Sequence, residues 1–407
     1  MTCGPSIKTV PRVVGVSTHP IQYLSPIYDR LAGCQRLAFH ALYASLGSVQ
    51  EEFDPGFNRK IKWDVPVLGT HPFTVANNLG PGVRKGGFLS HRCSDVTARL
   101  WALKPDVVLL PGYSSFFYIQ ALIAAKRYGA RILLRGDNKD VRDRRRWLHA
   151  LLRSLVLRGY YANVDGFLAV GSYMRRHFVA HGVSEASIWD SPHAVDSEPF
   201  DRLWPSRALI RAELREKLRR PKDETFVLFA GRLVGEKNVP QLADAFSKAI
   251  QARAGRATLV VVGDGPLRAT LEQTWRPLLR ERLALVGFIN QSELPKYYLG
   301  SDIFAMPSRD SWGLAVNEAM TAGLAVIVSD RCGCHEDLVR RGVTGLLCRY
   351  GSVEDLAAQL LILLHRPNLR RLIGAAARAH IKRYSVQKAA EGICTAAELV
   401  CNSRPTR

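Results

Sequence analysis

Short apolar runs rich in Val, Ile, Leu and Phe alternate with segments whose apolar residues recur at helical spacing, and the alternation continues from Arg12 almost to the last residue. Buried strands separated by crossover helices produce this pattern, which predicts an α/β chain built on parallel sheets. In the first half the strands are expected at Arg12 to Ser17, Leu37 to Ala44, Val107 to Pro111, Arg131 to Arg135, Gly166 to Val170 and Ser187 to Ser191. Residues 45–94, rich in Gly, Pro and aromatic side chains, show no period and are expected to form a functional loop. Turn residues and a charged helical stretch then fill Asp196 to Lys222, where a domain boundary is expected. The strand pattern restarts at Thr225 to Ala230 and continues at Ala257 to Val262, Leu283 to Val286, Ile303 to Met306, Leu324 to Val328 and Leu346 to Leu347. A chain of 407 residues exceeds one typical core, so the pattern reads as two domains, 1–196 and 197–385, followed by a terminal helical segment, 386–407. No repeat or low-complexity tract argues for a solenoid or propeller.

Candidate chemistry concentrates in FAMPSRDSWGLAVNEAMTAGLAVIVSDRCGCHEDLVRRGVTGLL, beginning at Phe304. Seven residues separate Asp310 from Glu318, and the second acid is expected in the first turn of a helix beginning near Gly313. In open α/β sheets a ligand lies beyond the carboxyl ends of the strands, where a helix start offers unpaired N–H groups and partial positive charge. Gly313, Leu314 and Asn317 are therefore candidates to line the site, with Asp310 and Glu318 accepting hydrogen bonds from hydroxyls. Upstream, Gly231 ends a strand and lets Arg232 and Lys237 approach phosphate groups, one as a bidentate fork and one as a point charge. The GDGPLR segment contributes Gly263 and Gly265, only two of the three glycines of a dinucleotide fingerprint, and Phe288 fits base contact and core packing equally well.

These pieces, with GRLVGEKNVPQLADAF, LVGFINQSELPKYYLGSDIFAMPS and GVTGLL in the same order, resemble the retaining glycosyltransferases of family 4. The likeness covers most of the second half; the first half resembles the family more loosely through GVSTHPIQYLSPIYDRLA and SPHAVDSEPF. Here the motif is D-x7-E, with Asp310 where the family usually has Glu. The resemblance implies a GT-B fold, two Rossmann-like domains with parallel sheets facing a central cleft, the first on the acceptor side and the second on the donor side. It also implies that the helix from Val386 crosses back to the first domain. By the same token, a sugar would pass from a nucleotide-sugar donor to a glycan, lipid-linked or small-molecule acceptor with retention, in a same-face displacement where the departing phosphate helps to deprotonate the acceptor. Arg232, Lys237, Glu318 and Asp310 would carry the chemistry, with Glu318 an ionised hydroxyl anchor of low pKa. Gly15, His19, Asp137 and Asn138 are the acceptor-side candidates, and further acceptor contacts are expected within 45–94. A nucleotide-sugar epimerase, a phosphorylase and a catalytically silent binding subunit remain the alternatives.

No Asp-x-Asp pair occurs to hold a divalent ion, so no metal or other cofactor is expected. Cys332, Cys334 and His335 lack a second ligand pair at zinc spacing, and the eight cysteines are expected to be reduced. Pro5, Lys8, Pro11 and Arg12 interrupt any signal-peptide core, which places the chain in the cytoplasm. The net charge of +21 could serve nucleic acid or an anionic membrane. Zinc-finger, RNA-recognition and helix-turn-helix signatures are missing, which argues against nucleic acid. The stretch VRDRRRWLHALLRSLVLRGYY instead reads as a basic amphipathic helix, with Trp147, Leu148, Leu151, Leu152 and Leu155 on one face and Arg142, Arg146 and Arg153 on the other. That helix makes peripheral contact with the inner face of a membrane a further expectation.

Overall fold

The computed structural model describes residues 10–81, 87–137, 147–252 and 255–402. They form two compact units, one drawn from Met1–Glu51, Pro66–Pro192 and Val386–Arg407, the other from Glu52–Val65 and His193–Ser385.

Among the described residues nine strands precede the second half of the chain: β1 (Arg12–Ser17), β2 (Ala38–Tyr43), β3 (Glu52–Asp54), β4 (Arg59–Ile61), β5 (Phe73–Val75), β6 (Val107–Leu110), β7 (Arg131–Gly136), β8 (Gly166–Ala169) and β9 (Ile188–Asp190). Seven of them make the parallel sheet of the first unit, in the order β5-β2-β1-β6-β7-β8-β9. Alternation along each strand feeds two cores. Val14 and Val16 join Leu42, Val108 and the helix Phe116–Tyr128 on one face, while Val13 joins Phe39, Leu109 and the helices Ser25–Ala32 and Val386–Asn402 on the other.

The second unit holds β10 (Thr225–Ala230), β11 (Ala257–Val262), β12 (Leu283–Gly287), β13 (Ile303–Met306), β14 (Ala325–Ser329) and β15 (Leu346–Cys348). They are parallel, in the order β12-β11-β10-β13-β14-β15. Chain order reverses direction at β10, so the topological switch point lies between the carboxyl ends of β10 and β13. To this unit also belongs the antiparallel hairpin of β3 and β4, encoded in the first half.

The sequence reading placed the long strands to within a residue or two. It missed β3, β4 and β5, each three residues long and too short to carry a period, within the stretch read as loop. Residues 107–125, which carry no charge, form β6 and most of the helix Phe116–Tyr128, and among the described residues no helix is long and apolar enough to cross a membrane. Arg142 and Arg146 lie outside the described residues, whose helix begins at Trp147. There Leu157 is buried, but Leu152 and Leu155, assigned by the helical wheel to the apolar face, are 61% and 56% exposed, together with Val156 at 71%.

Candidate functional site

The carboxyl ends of β10 and β13 bring two predicted residues into direct contact. Lys237, in a single helical turn before the helix Val239–Gln251, donates to both carboxylate oxygens of Asp310 at 2.7 and 2.8 Å. Both side chains are only 13% exposed, so little water competes with the pair. Ser308 Oγ donates to the same carboxylate at 2.7 Å, fixing its orientation. Arg232 stands exposed one residue past Gly231, with its alkyl chain against Gly56 of the hairpin.

Gly263 and Gly265 shape the floor beside Arg232. The Gly231 amide donates to Val262 O at 2.9 Å and the Gly263 amide to Gly287 O at 2.8 Å, so backbone bonds lace the ends of β10, β11 and β12 together. A methyl group on Gly263, whose φ is 135°, would overlap the Gly231 carbonyl oxygen. One on Gly265 would lie 2.7 Å from Gly56 O. Glycine is required at both positions because neighbouring backbone already fills the place of a Cβ.

Glu318 differs from its expected setting in two ways. The helix runs Leu314–Thr321 with Gly313 as its N-cap in the left-handed region, so Glu318 is its fifth residue and lies in the second turn, not the first. A helix begun near Gly313 already carries Glu318 past its first turn of 3.6 residues, and the left-handed Gly313, where a methyl group would lie 2.7 Å from Cys332 Sγ, fixes that start. Its pKa is also not low: burial pushes it up to about 7, and the hydrogen bond that opposes the rise, from Tyr298 Oη at 2.6 Å, is too weak to offset it. Although part of the side chain reaches the surface, protein atoms crowd the carboxyl group. Tyr298 escaped the sequence reading, its only signal being a Tyr pair in a helix twenty residues upstream.

Asn317 is fully buried, its Oδ1 accepting from Trp312 Nε1 at 2.8 Å and its Nδ2 donating to His193 O at 3.1 Å, so both ends of the amide are engaged within the fold. Leu314 begins the helix, and Phe288 packs beneath residues of the hairpin. Cys332 and Cys334 are buried with their sulfurs 3.7 Å apart.

In the first unit Gly15 lies inside β1, within the strand expected there, and a methyl group on it would meet the Phe39 ring at 2.7 Å. His19 follows the strand, and Thr18 Oγ1 lies 3.0 Å from its Nδ1. Burial, aided by the neighbouring His91, lowers the His19 pKa to about 4, so the ring is neutral at physiological pH. His91, 6% exposed, stacks 6.3 Å from it and was missed, because it lies in the aperiodic stretch. Asp137 is exposed at the end of β7, beside the buried Arg135, while Asn138 lies outside the described residues.

Residues 210–380 match the family model described as glycosyl transferases group 1. The chain is 30% identical to Arabidopsis thaliana sulfoquinovosyl transferase SQD2 over 237 residues, 56% of this chain and 43% of that protein. It is 33% identical to the GDP-mannose-dependent alpha-(1-6)-phosphatidylinositol monomannoside mannosyltransferase of Mycobacterium tuberculosis over 219 residues, 51% of this chain and 55% of that one. The chain thus spans about half the length of these relatives. Its fold is similar to that of Anabaena HepE in complex with UDP, with a TM-score of 0.71 at 18% identity over 95% of this chain and 99% of that one. The lipopolysaccharide outer core galactosyltransferase WaaB gives 0.64 at 16% identity over 95% and 99%. The matched segment thus contains Arg232, Lys237, Asp310 and Glu318 and is similar to the glycosyl transferases group 1, while the two parallel sheets share the GT-B fold of the structural neighbours.

Proposed function

We propose that this chain is a retaining glycosyltransferase that takes a sugar from a nucleoside-diphosphate sugar and passes it to a lipid-linked, glycan or small-molecule acceptor. The observation that carries this reading is the cation-carboxylate arrangement at the switch point of the second sheet, where Arg232 follows β10 and the Lys237–Asp310 pair joins the segments after β10 and β13. Breaking the anomeric bond places growing negative charge on the departing diphosphate, and a preorganised Arg and Lys stabilise that charge without reorganising. Asp310 holds Lys237 in place and offers lone pairs to sugar hydroxyls; Glu318, held by Tyr298, offers its own from the following helix. His19, neutral and backed by Thr18, is the acceptor-side candidate for orienting a hydroxyl.

The names of the relatives support donors built on UDP or GDP and acceptors that include lipids. A lipid acceptor agrees with the helix from Trp147, where exposed Leu152, Leu155 and Val156 neighbour Arg153 and Arg158. We assign this face to an anionic membrane surface.

A thermal-shift panel of UDP-, GDP- and ADP-sugars, followed by donor hydrolysis with and without EDTA, tests the donor reading. One donor should stabilise the chain and be hydrolysed despite EDTA, and Arg232→Ala or Lys237→Ala should remove on the order of 2 to 4 kcal/mol of transition-state stabilisation. Activity abolished by chelation and restored by manganese, or no response to any donor, would refute it.

A further inference from the structure

The hairpin of β3 and β4 is encoded some 170 residues before β10, yet it packs within the second unit, against three candidate donor residues. Its turn is well specified: Asp54 Oδ1 accepts from the amides of Gly56 and Phe57 at 2.7 and 3.1 Å, and Asn58 takes the left-handed conformation that Asn tolerates. Gly56 supports Arg232 and, through its carbonyl, closes over Gly265. Phe57 meets Phe288 edge-on at 5.2 Å, and Trp63 tilts against the same ring at 6.1 Å. Arg59 sits over the Phe288 face at 4.9 Å, its guanidinium 3.9 Å from Asp264, and still keeps 46% of its side chain exposed. The base of the hairpin is tied by Asn290 Nδ2 donating to Lys62 O at 2.8 Å.

The strand order gives these contacts a meaning. Asp310, Arg232, Gly263 and Phe288 follow the carboxyl ends of β13, β10, β11 and β12, which are consecutive neighbours in the sheet. Three strand spacings amount to roughly 14 Å, a span comparable to that from the sugar to the base of an extended nucleoside-diphosphate sugar. A donor laid along this row, sugar at Asp310 and diphosphate at Arg232 and Gly263, brings its base to Phe288 and hence to the hairpin. Resting on that donor assignment, we propose that the hairpin reads the base, with Arg59 as the specificity-determining residue. The guanidinium offers only donors, held in a plane by Phe288 and Asp264. It therefore suits the carbonyl oxygens of uracil or guanine and disfavours adenine, whose amino group presents a donor in their place.

Calorimetric titration of the intact chain with uridine, guanosine and adenosine diphosphates and with inorganic pyrophosphate tests the assignment. The wild-type chain should bind the uridine or guanosine diphosphate at least tenfold more tightly than the adenosine one. Arg59→Ala should erase that preference and leave pyrophosphate binding unchanged, Arg59→Gln should keep part of it, and Arg232→Ala should weaken all four ligands without altering the order. Equal binding of all three nucleotides by the wild type, or an unchanged preference in a folded Arg59→Ala, would overturn the hairpin's role. Binding of none by the wild type would instead strike the donor assignment itself, before any variant is compared.

Discussion

At Glu318 two requirements conflict. A carboxylate that accepts hydrogen bonds from sugar hydroxyls acts best when ionised, yet crowding by protein atoms pushes its pKa up to about 7, against the opposing hydrogen bond that Tyr298 donates to it. The folded chain therefore retains a proton that the unfolded chain, with a carboxyl near its ordinary 4.5, has released. Between these two values the folded state binds more protons, so stability falls as pH rises through that window and the full penalty is present above about pH 7. The penalty is on the order of 3 kcal/mol at most. Glu318→Gln removes the charge and leaves an acceptor for Tyr298, so relative to wild type the variant should gain stability at pH 8 and little below pH 4.5, while transfer activity falls more than tenfold. Urea unfolding at several pH values reads the first effect and an initial-rate assay the second; a stability difference that does not grow with pH would place the titration elsewhere. The spacing of Asp310 and Glu318 was legible in the sequence because it is local. Tyr298 was not, since its contact is created by the packing of two helices.

The elements follow the same division between local and assembled information. Strands buried on both faces read as unbroken apolar runs, which is why β10, β11 and β13 have the expected bounds. β5 at the sheet edge and the β3–β4 hairpin are too short for a pattern, and nothing in 52–65 announces that it belongs with a sheet that begins at Thr225. The glycines after the strands were legible as positions of close approach, but what they approach was not. Gly263 meets backbone, not a side chain able to move aside, and its φ of 135° is a conformation that residues with a Cβ rarely adopt. Gly263→Ala should therefore force the ends of β10 and β11 apart, with a loss of about 2 to 4 kcal/mol in stability. It should also weaken binding of any nucleoside diphosphate. Thermal unfolding checks the first effect, and a wild-type melting temperature in Gly263→Ala would show that the strand ends yield easily.

For the molecule as a whole, charge and exposed apolar surface point to the same partner. Fifty-seven Lys and Arg against thirty-six Asp and Glu leave a surplus that neither sheet requires. The helix from Trp147 adds the short-range component, for Leu152, Leu155 and Val156 are all more than half exposed beside Arg153 and Arg158. Water disfavours such a face, whereas a lipid interface accepts the leucines among acyl chains and the arginines among headgroups. An anionic surface contributes about 1 kcal/mol for each basic residue near it, and salt weakens that contribution through screening. Burial of the apolar trio is insensitive to salt. Co-sedimentation with vesicles separates the two components. The wild-type chain should bind phosphatidylglycerol vesicles at low salt, bind neutral phosphatidylcholine vesicles weakly, and lose most of its binding as salt rises. Arg153→Glu with Arg158→Glu should reduce low-salt binding by an order of magnitude, while Leu152→Ser with Val156→Ser should remove the part that survives high salt. Donor hydrolysis in the absence of vesicles should be unchanged in both double variants, because neither pair belongs to the second unit. A wild-type chain that stays in the supernatant with anionic vesicles at low salt would refute the membrane assignment and turn the surplus charge toward an acidic acceptor free in solution.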